Sequence, residues 1–445
     1  MQFQSQWDIY SYIISFVSNK PKKFGAFGLD RTKYLASLVG NPQDDYPVIH
    51  IAGTSGKWST AFMASQILKV HGYKTWLHVS PHVLDRRERV QINNTFADDA
   101  ILIQAAQKLA LAIEKCSSSE YGTPSYYEAM IVLAYLSFSL AKVDVAIIEV
   151  GCGGLYDGSN IVSRKDKISV ITRQWYDHQD IVGETLEKIA ENDVGIVLPW
   201  SCVVALDQEE KICNQIIQQG VEKQWAQLHT VYHGLQYANI RIDKSQTVFD
   251  YTDLQGTKIS DIALALLWSF QPENAALVLT ATQLFVSQQG GDFDRDKTKK
   301  ALLIPWFAGR YDVRIVGWKT IILDGAHNPQ KMHALVETLQ TTYPQKNIVW
   351  YVAFKQGKHR EEMLDIMTRF SQKFILWSFN DTQDIPLYSV DTTFVSDYLV
   401  SHGATVQSYI SPEDFFQSLD HNISQDDIVV ITWSLYRLSR VYKII

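Results

Sequence analysis

Residues 47–60, PVIHIAGTSGKWST, constrain this chain more than any other stretch. The apolar, β-branched run from Pro47 to Ala52 reads as a buried strand. It turns through Gly53-Thr54-Ser55-Gly56, presents Lys57 and enters an apolar-periodic segment at Trp58. A buried strand, a glycine turn and a helix start together build an anion site. Glycines admit a phosphate to the backbone, N–H groups at the helix start point at it, and the lysine neutralises it. The hydroxyl of Ser59 is placed to hold Mg²⁺, and Thr60 follows it. The spacing GxxxxGK[ST] is not met literally, because Trp58 separates lysine from hydroxyl and the first glycine is missing. By itself the stretch reads either as a nucleotide site or as a glycine-rich strand–helix turn.

The flanking pattern alternates strand and helix. Helices are expected over 7–20, 29–39, 59–71, 98–115 and 126–141, with Gly40-Asn41-Pro42 stopping the second. A strand over 74–79 runs into SPHVLDRRERVQIN, residues 80–93. Its three arginines and one histidine between apolar stretches read as an exposed functional loop or as a solvated charge run. Residues 143–150, VDVAIIEV, are almost continuously apolar, as a central parallel strand should be. That strand ends on Glu149. A carboxylate buried there is costly unless it is paired, hydrogen-bonded or on a metal, and ligands of open α/β sheets bind at such strand ends. Further strands are expected over 168–172 and 202–206, helices over 184–191 and 272–287, and a small antiparallel excursion over 231–261. Gly290-Gly291 is the clearest boundary. Beyond it strands near 312–316, 320–323, 348–352, 374–377 and 428–432 alternate with helices, giving two α/β domains, 1–290 and 291–445.

Chemistry-capable groups recur at these strand ends: Lys57, Ser59, Glu149, His178, Asp324 and His327. A hydroxyl, a carboxylate and an imidazole can complete a Mg²⁺ shell whose other positions go to water and phosphate oxygens. His178 alone reads more readily as a structural histidine than as a ligand, and its position just after an expected strand raises the ligand reading. A net charge of −7 and a pI near 6.0 argue against a general nucleic-acid binder. The longest apolar run, 129–141, is too short to span a membrane. Four scattered cysteines without a C-x-x-C pair fit free thiols in a reducing cytosol, and the N-terminus shows no secretory pattern.

Taken together in order, the blocks resemble folylpolyglutamate synthase/dihydrofolate synthase, the folate branch of the Mur ligase family. VIHIAGTSGKWST is similar to that family's VIHVAGTNGKGST, and VDVAIIEVGCGGLYDGSNI to its VDVAVLEVGLGGRLDATNV. GLDRTKYLASLVGNP, SPHVLDRRERVQIN, YDHQDIVGETLEKIAENDVGI, QPENAALVL, FAGRYDV, ILDGAHNP and IVVITWSLY complete a near full-length series. The resemblance implies an α/β fold: a P-loop-type nucleotide-binding N-terminal domain on a mostly parallel sheet, and a smaller Rossmann-like C-terminal domain. It implies an ATP- and Mg²⁺-dependent ligase that activates a folate-type carboxylate as an acyl phosphate and joins it to L-glutamate. Gly53, Thr54, Ser55, Gly56, Lys57, Trp58, Ser59 and Thr60 would surround the ATP phosphates. Asn274 would reach adenine, Arg310 a phosphate and Asp324 the ribose side. Ser59 and Glu149 would bind one Mg²⁺, and His178 with Glu149 a second. Ser80, Pro81, His82 and Arg89 would face the folate, while His327 and Ser434 would lie near the γ-phosphate and the incoming amino acid. Lys57, His327 and Asp193 would carry catalysis in a cytoplasmic monomer with no nucleic-acid or membrane partner.

Three departures stand out. Trp58 and Trp433 replace glycines that face ligands in the family, which points to a reshaped pocket. Asp193 stands where the family usually has a carbamylated lysine, so it reads as a fixed carboxylate substitute or as a position without a metal role. A ligase for another amino acid and carboxylate, or a non-catalytic nucleotide-binding homologue, are the alternative readings.

Overall fold

The computed structural model describes residues 3–16, 25–303, 308–354, 360–378, 380–382, 386–389, 391–409, 411–417, 419, 423–432 and 435–445. The first sheet contains β1 (Val48–Ala52), β2 (Thr75–His78), β3 (Gln91–Ile92), β4 (Thr95–Phe96), β5 (Val145–Glu149), β6 (Ile168–Ile171), β7 (Cys202–Leu206) and β8 (Gln227–Val231). Their order is β4-β3-β2-β5-β1-β6-β7-β8. The six strands from β2 to β8 pair in parallel, and β3 and β4 add an antiparallel edge. Every residue of β1, β5 and β6 is buried, so these strands carry apolar side chains on both faces and are apolar apart from His50, Glu149 and Ser169.

Helices cover the two faces. The helices Lys57–Val70 and Gln271–Gln288 pack with Ile49, Ile51, Ile147 and Val170 on one face. The helices Ala26–Ser37, Asp99–Ser117 and Tyr126–Ala141 pack on the other. The alternating segment is a separate antiparallel sheet of β9 (Tyr237–Ile242), β10 (Thr247–Thr252) and β11 (Lys258–Leu264). Lys167, just before β6, is fully buried, and its ammonium donates to the Ile196 carbonyl at 2.6 Å.

The second sheet comprises β12 (Asp312–Val316), β13 (Lys319–Leu323), β14 (Asn347–Val352), β15 (Lys373–Trp377), β18 (Thr405–Tyr409) and β19 (Asp427–Thr432), in the order β12-β13-β19-β14-β15-β18. Only the β12–β13 pair is antiparallel. A two-stranded ribbon of β16 (Asn380–Thr382) and β17 (Pro386–Tyr388) stands apart from it.

The first expected helix is shorter than 7–20. It spans Gln6–Ile14, opened by a reciprocal Ser5–Asp8 capping box, and 17–24 lie outside the described residues. The second helix starts earlier than 29, at Ala26. Beyond residue 290 the helix Arg295–Leu302 still packs on the first layer, with Ala301 and Leu302 in its core. The change of sheet therefore comes one helix later than Gly290-Gly291. Among the described residues, no helix is long and apolar enough to cross a membrane.

Candidate active site

β1 ends at Ala52 and the chain turns at once into the helix Lys57–Val70. The Thr54 and Ser55 N–H groups both donate to the Arg173 carbonyl beyond β6, at 3.0 and 3.1 Å, and the Thr54 hydroxyl donates to the Trp175 carbonyl. These bonds pin the loop to the neighbouring strand. Gly56 caps the helix at φ +92°, and a Cβ there would lie 2.1 Å from Asn274 Oδ1. Only glycine satisfies both the left-handed backbone and that close approach. The first turn of the helix has N–H groups without intrahelical acceptors, and this end opens on a cleft. Lys57 Nζ donates to the Gly53 carbonyl at 2.7 Å.

The cleft runs along the carboxyl ends of β1, β5 and β6 and is closed from the other side by the second domain. Gly53 through Ser59, Ser80, Pro81, Glu149, Asp177, His178 and Asp193 line it from the first domain; Arg310, His327 and Lys331 line it from the second. The structure thus brings together most of the residues expected from the sequence. Trp58 points into the cleft, stacked on Phe62 at 5.5 Å, with the Arg310 guanidinium 5.7 Å from its ring centre.

Electrostatics mark the same place. Burial pushes the Glu149 carboxyl up to about 7, although Lys57, the Ser80 N–H at 2.9 Å and Arg310 pull it down. Burial likewise raises Asp193 to about 6 against the pull of Lys57. Asp177 behaves oppositely. Burial would raise it, but the His327 ring whenever Nε2 carries a proton, and the Lys331 ammonium, hold it well below the carboxylate range. His327 Nε2 is 3.7 Å from Asp177 Oδ2, and Lys331 Nζ is 3.9 Å from the same oxygen and 3.2 Å from His327 Nε2. His327 Nδ1 lies 2.7 Å from the Gly325 carbonyl, which places the ring proton on Nδ1 and leaves Nε2 as the acceptor. Burial and the Lys331 charge lower His327, and burial lowers His178, so both rings are neutral near pH 7.

Among the described residues no three His, Cys, Asp or Glu side chains are close enough to make an all-protein metal cage. The donors present are the Glu149 carboxylate, the Ser59 hydroxyl and the His178 imidazole in one cleft. Mg²⁺ keeps several waters and takes one or two carboxylates plus phosphate oxygens, so this sparse, oxygen-rich set suits it. A desolvated Glu149 raised to about 7 is also a carboxyl whose ionised form gains from a nearby cation.

Other expected residues are buried next to the cleft and do not form its lining. Asp324 is fully buried behind the wall: its two oxygens accept from the Tyr311 N–H at 2.9 Å and the Ala326 N–H at 2.7 Å. It therefore orients the neighbours Arg310 and His327. Thr60 is buried one turn into its helix. Asn274 is buried beneath Gly56 and donates to Gln271, which in turn donates to the Ser59 hydroxyl at 3.3 Å. His82 and Arg89 are turned inward, Arg89 Nε donating to His82 Nδ1 at 3.0 Å. The 80–93 loop is consequently not the exposed segment the sequence suggested. The Glu88 carboxylate accepts from the N–H groups of Val83, Leu84 and Asp85, folding the loop on itself, and Val83 inserts among Ala308, Ile321 and Leu323 of the second domain. Ser434 and Trp433 lie outside the described residues.

Sequence reasoning missed Asp177, Gln330 and Lys331. Asp177 adjoins His178 in a motif already singled out; the other two follow DGAHNP, and only the pairing of the two domains shows where they point. Ser55 Oγ donates to Gln330 Oε1 at 3.0 Å across the cleft.

Residues 51–282 match the Mur ligase middle domain, and residues 315–444 match the dihydrofolate synthetase C-terminal domain. The chain is similar to dihydrofolate synthase/folylpolyglutamate synthase of Bacillus subtilis, 26% identical over 424 residues that cover 95% of this chain and 96% of that protein. It is 25% identical to dihydrofolate synthetase of Saccharomyces cerevisiae over 432 residues, covering 94% and 97%. Among solved structures it matches Mycobacterium tuberculosis folylpolyglutamate synthase complexed with ADP, with a TM-score of 0.85, 23% identity and coverage of 98% and 97%.

Proposed function

The chain belongs to the Mur ligase family, and from that premise we propose that it is an ATP-dependent amide ligase that joins L-glutamate to the carboxylate of a folate or dihydropteroate. The observation that carries this is the single cleft in which a phosphate loop, buried carboxyls and the second domain's cations converge.

In the first step a substrate carboxylate oxygen attacks the γ-phosphorus of ATP, the bond to the β-phosphate oxygen breaks, and ADP leaves. The helix start at Gly56–Ser59 cradles the phosphates, and Lys57 exchanges its bond to the Gly53 carbonyl for a phosphate oxygen. Arg310 faces the developing charge from the opposite domain. Mg²⁺, held by Ser59, Glu149 and His178, would supply charge neutralisation across the phosphates. In the second step the glutamate α-amine attacks the acyl carbon and phosphate departs. The amine loses a proton, for which His327 Nε2 is the neutral acceptor in the cleft. Holding both reactants between two domains supplies the positioning that such a step needs. Asp193 faces Lys57 and stands in as the fixed carboxylate of the metal side. The enzyme acts as a cytoplasmic monomer.

Trp58 favours a second reading of the substrate, since its ring fills space that a glycine would leave between the loop and Arg310. In that reading the same chemistry serves another carboxylate and amino-acid pair. Phosphate release is the test. Purified protein with ATP and Mg²⁺ is expected to release phosphate only when dihydropteroate or tetrahydrofolate and L-glutamate are both present. Release that ignores either acceptor or amino acid would overturn the folate reading, and profiling other amino acids by mass spectrometry separates the second.

A further inference from the structure

The helix Pro329–Thr342 begins directly over the phosphate loop. Its first turn is fixed there by the Ser55–Gln330 hydrogen bond, and Lys331 is the next residue. Its side chain is 15% exposed, and its ammonium reaches into the cleft between His327 and Asp177. Lys57 and Arg310 are close enough for their charges to act on it. Three cations from three separate elements, in two domains, therefore face one small volume. Asp177 offsets one of these charges, but burial disfavours ionised Glu149 and Asp193 in the same cleft, so an arriving polyanion gains from the cations left.

Resting on the ligase reading above, we propose that Lys331 is a further catalytic residue, a cation that contacts the terminal phosphoryl of ATP and stays with it as it passes to the substrate carboxylate. A phosphoryl in transfer carries charge on three equatorial oxygens, and cations placed on different sides stabilise it better than one. Lys57 approaches from the loop, Arg310 from the turn before β12, and Lys331 from the opposing helix. Asp177 holds the ammonium in place before nucleotide arrives. The bond made is from the substrate carboxylate oxygen to phosphorus, the bond broken is to the ADP oxygen, and Lys331 keeps its proton throughout.

Calorimetry on the full chain with Mg²⁺ separates this role from that of an interdomain tie. The probes are ADP and AMPPCP, which differ at the terminal phosphoryl. Lys331→Met is expected to weaken AMPPCP by about tenfold or more while changing ADP by less than about twofold. It is expected to lower kcat about 100-fold with little change in the KM of the amino acid. Lys331→Arg, which keeps the charge, is expected to recover most of the AMPPCP affinity. Equal weakening of both nucleotides would overturn the proposal in favour of a purely structural tie. Unchanged AMPPCP binding with a raised amino-acid KM would overturn it in favour of a carboxylate contact. If the unmutated protein bound neither nucleotide, the ligase reading would fall first, so the two failures are distinguishable.

Discussion

Replacing Asp324 by asparagine tests whether this residue shapes the site or touches the nucleotide. Its side chain is fully buried, and each oxygen accepts one backbone N–H, from Tyr311 and from Ala326. Burial raises the carboxyl to about 7, so the assay belongs at pH 8, where the charged form predominates. Asparagine keeps one acceptor and turns an NH₂ towards the other N–H. One charge-assisted bond, worth about 1.5–3 kcal/mol, is lost, and the second weakens to about 1 kcal/mol. Burial already disfavours the charge that asparagine removes, which offsets most of this, so a net loss of no more than about 1 kcal/mol is expected for the second domain. The freed N–H, that of Tyr311 or Ala326, adjoins Arg310 or His327, so a displacement of about 1 Å there is expected to lower kcat/KM about 100-fold. Urea unfolding followed through the second domain, together with steady-state kinetics, measures both effects. An unchanged kcat with a selective rise in the KM of ATP would refute the reasoning and return Asp324 to a direct nucleotide contact.

Three further outcomes are expected. Gly56→Ala forces a Cβ to within 2.1 Å of Asn274 Oδ1 on a left-handed backbone, so ADP affinity should fall about tenfold or more with helix content unchanged by circular dichroism. Asp193→Ala should raise the Mg²⁺ concentration needed for half-maximal rate about tenfold, whereas an unchanged Mg²⁺ titration would show a carboxylate without a metal role. Burial lowers Lys167 from 10.5 to about 7, so between these values the unfolded chain holds a proton that the folded one lacks. Stability should then rise with pH across that window by up to about 1.4 kcal/mol per unit, and Lys167→Met should remove that slope.

Local pattern made much of the molecule legible. Strands β5 and β7 stand almost where apolar runs placed them, because a strand buried on both faces leaves no polar alternation to misread. The turn from β1 into the helix at Lys57 was legible too, since its glycines lie within one turn of chain, although the loop alone left a nucleotide site and a plain glycine-rich turn equally open. What escaped the sequence depends on partners distant along the chain. Lys331 and Gln330 look like ordinary first-turn residues until the second domain is set against Ser55 and Asp177. Asp324 reads as a ligand from its motif, but the direction of its oxygens follows from where Tyr311 and Ala326 fall. The charged loop at 80–93 looked solvated because nothing in its composition reveals that Glu88 accepts three of its own N–H groups. The helix Arg295–Leu302 follows a glycine pair that resembles a boundary, yet its apolar Ala301 and Leu302 belong to the first core.

Val83, 1% exposed among Ala308, Ile321 and Leu323, has a kinetic consequence. Parting the two domains draws this side chain back into water, at a cost of about 1.5–3 kcal/mol. That one contact makes the parted form roughly ten- to a hundredfold rarer than the shut one. Admission of a bulky acceptor through a parted cleft is slowed by the same factor. Trimming Val83 to alanine should speed acceptor capture in pre-steady-state measurements, even as it loosens the domains that hold the acceptor afterwards.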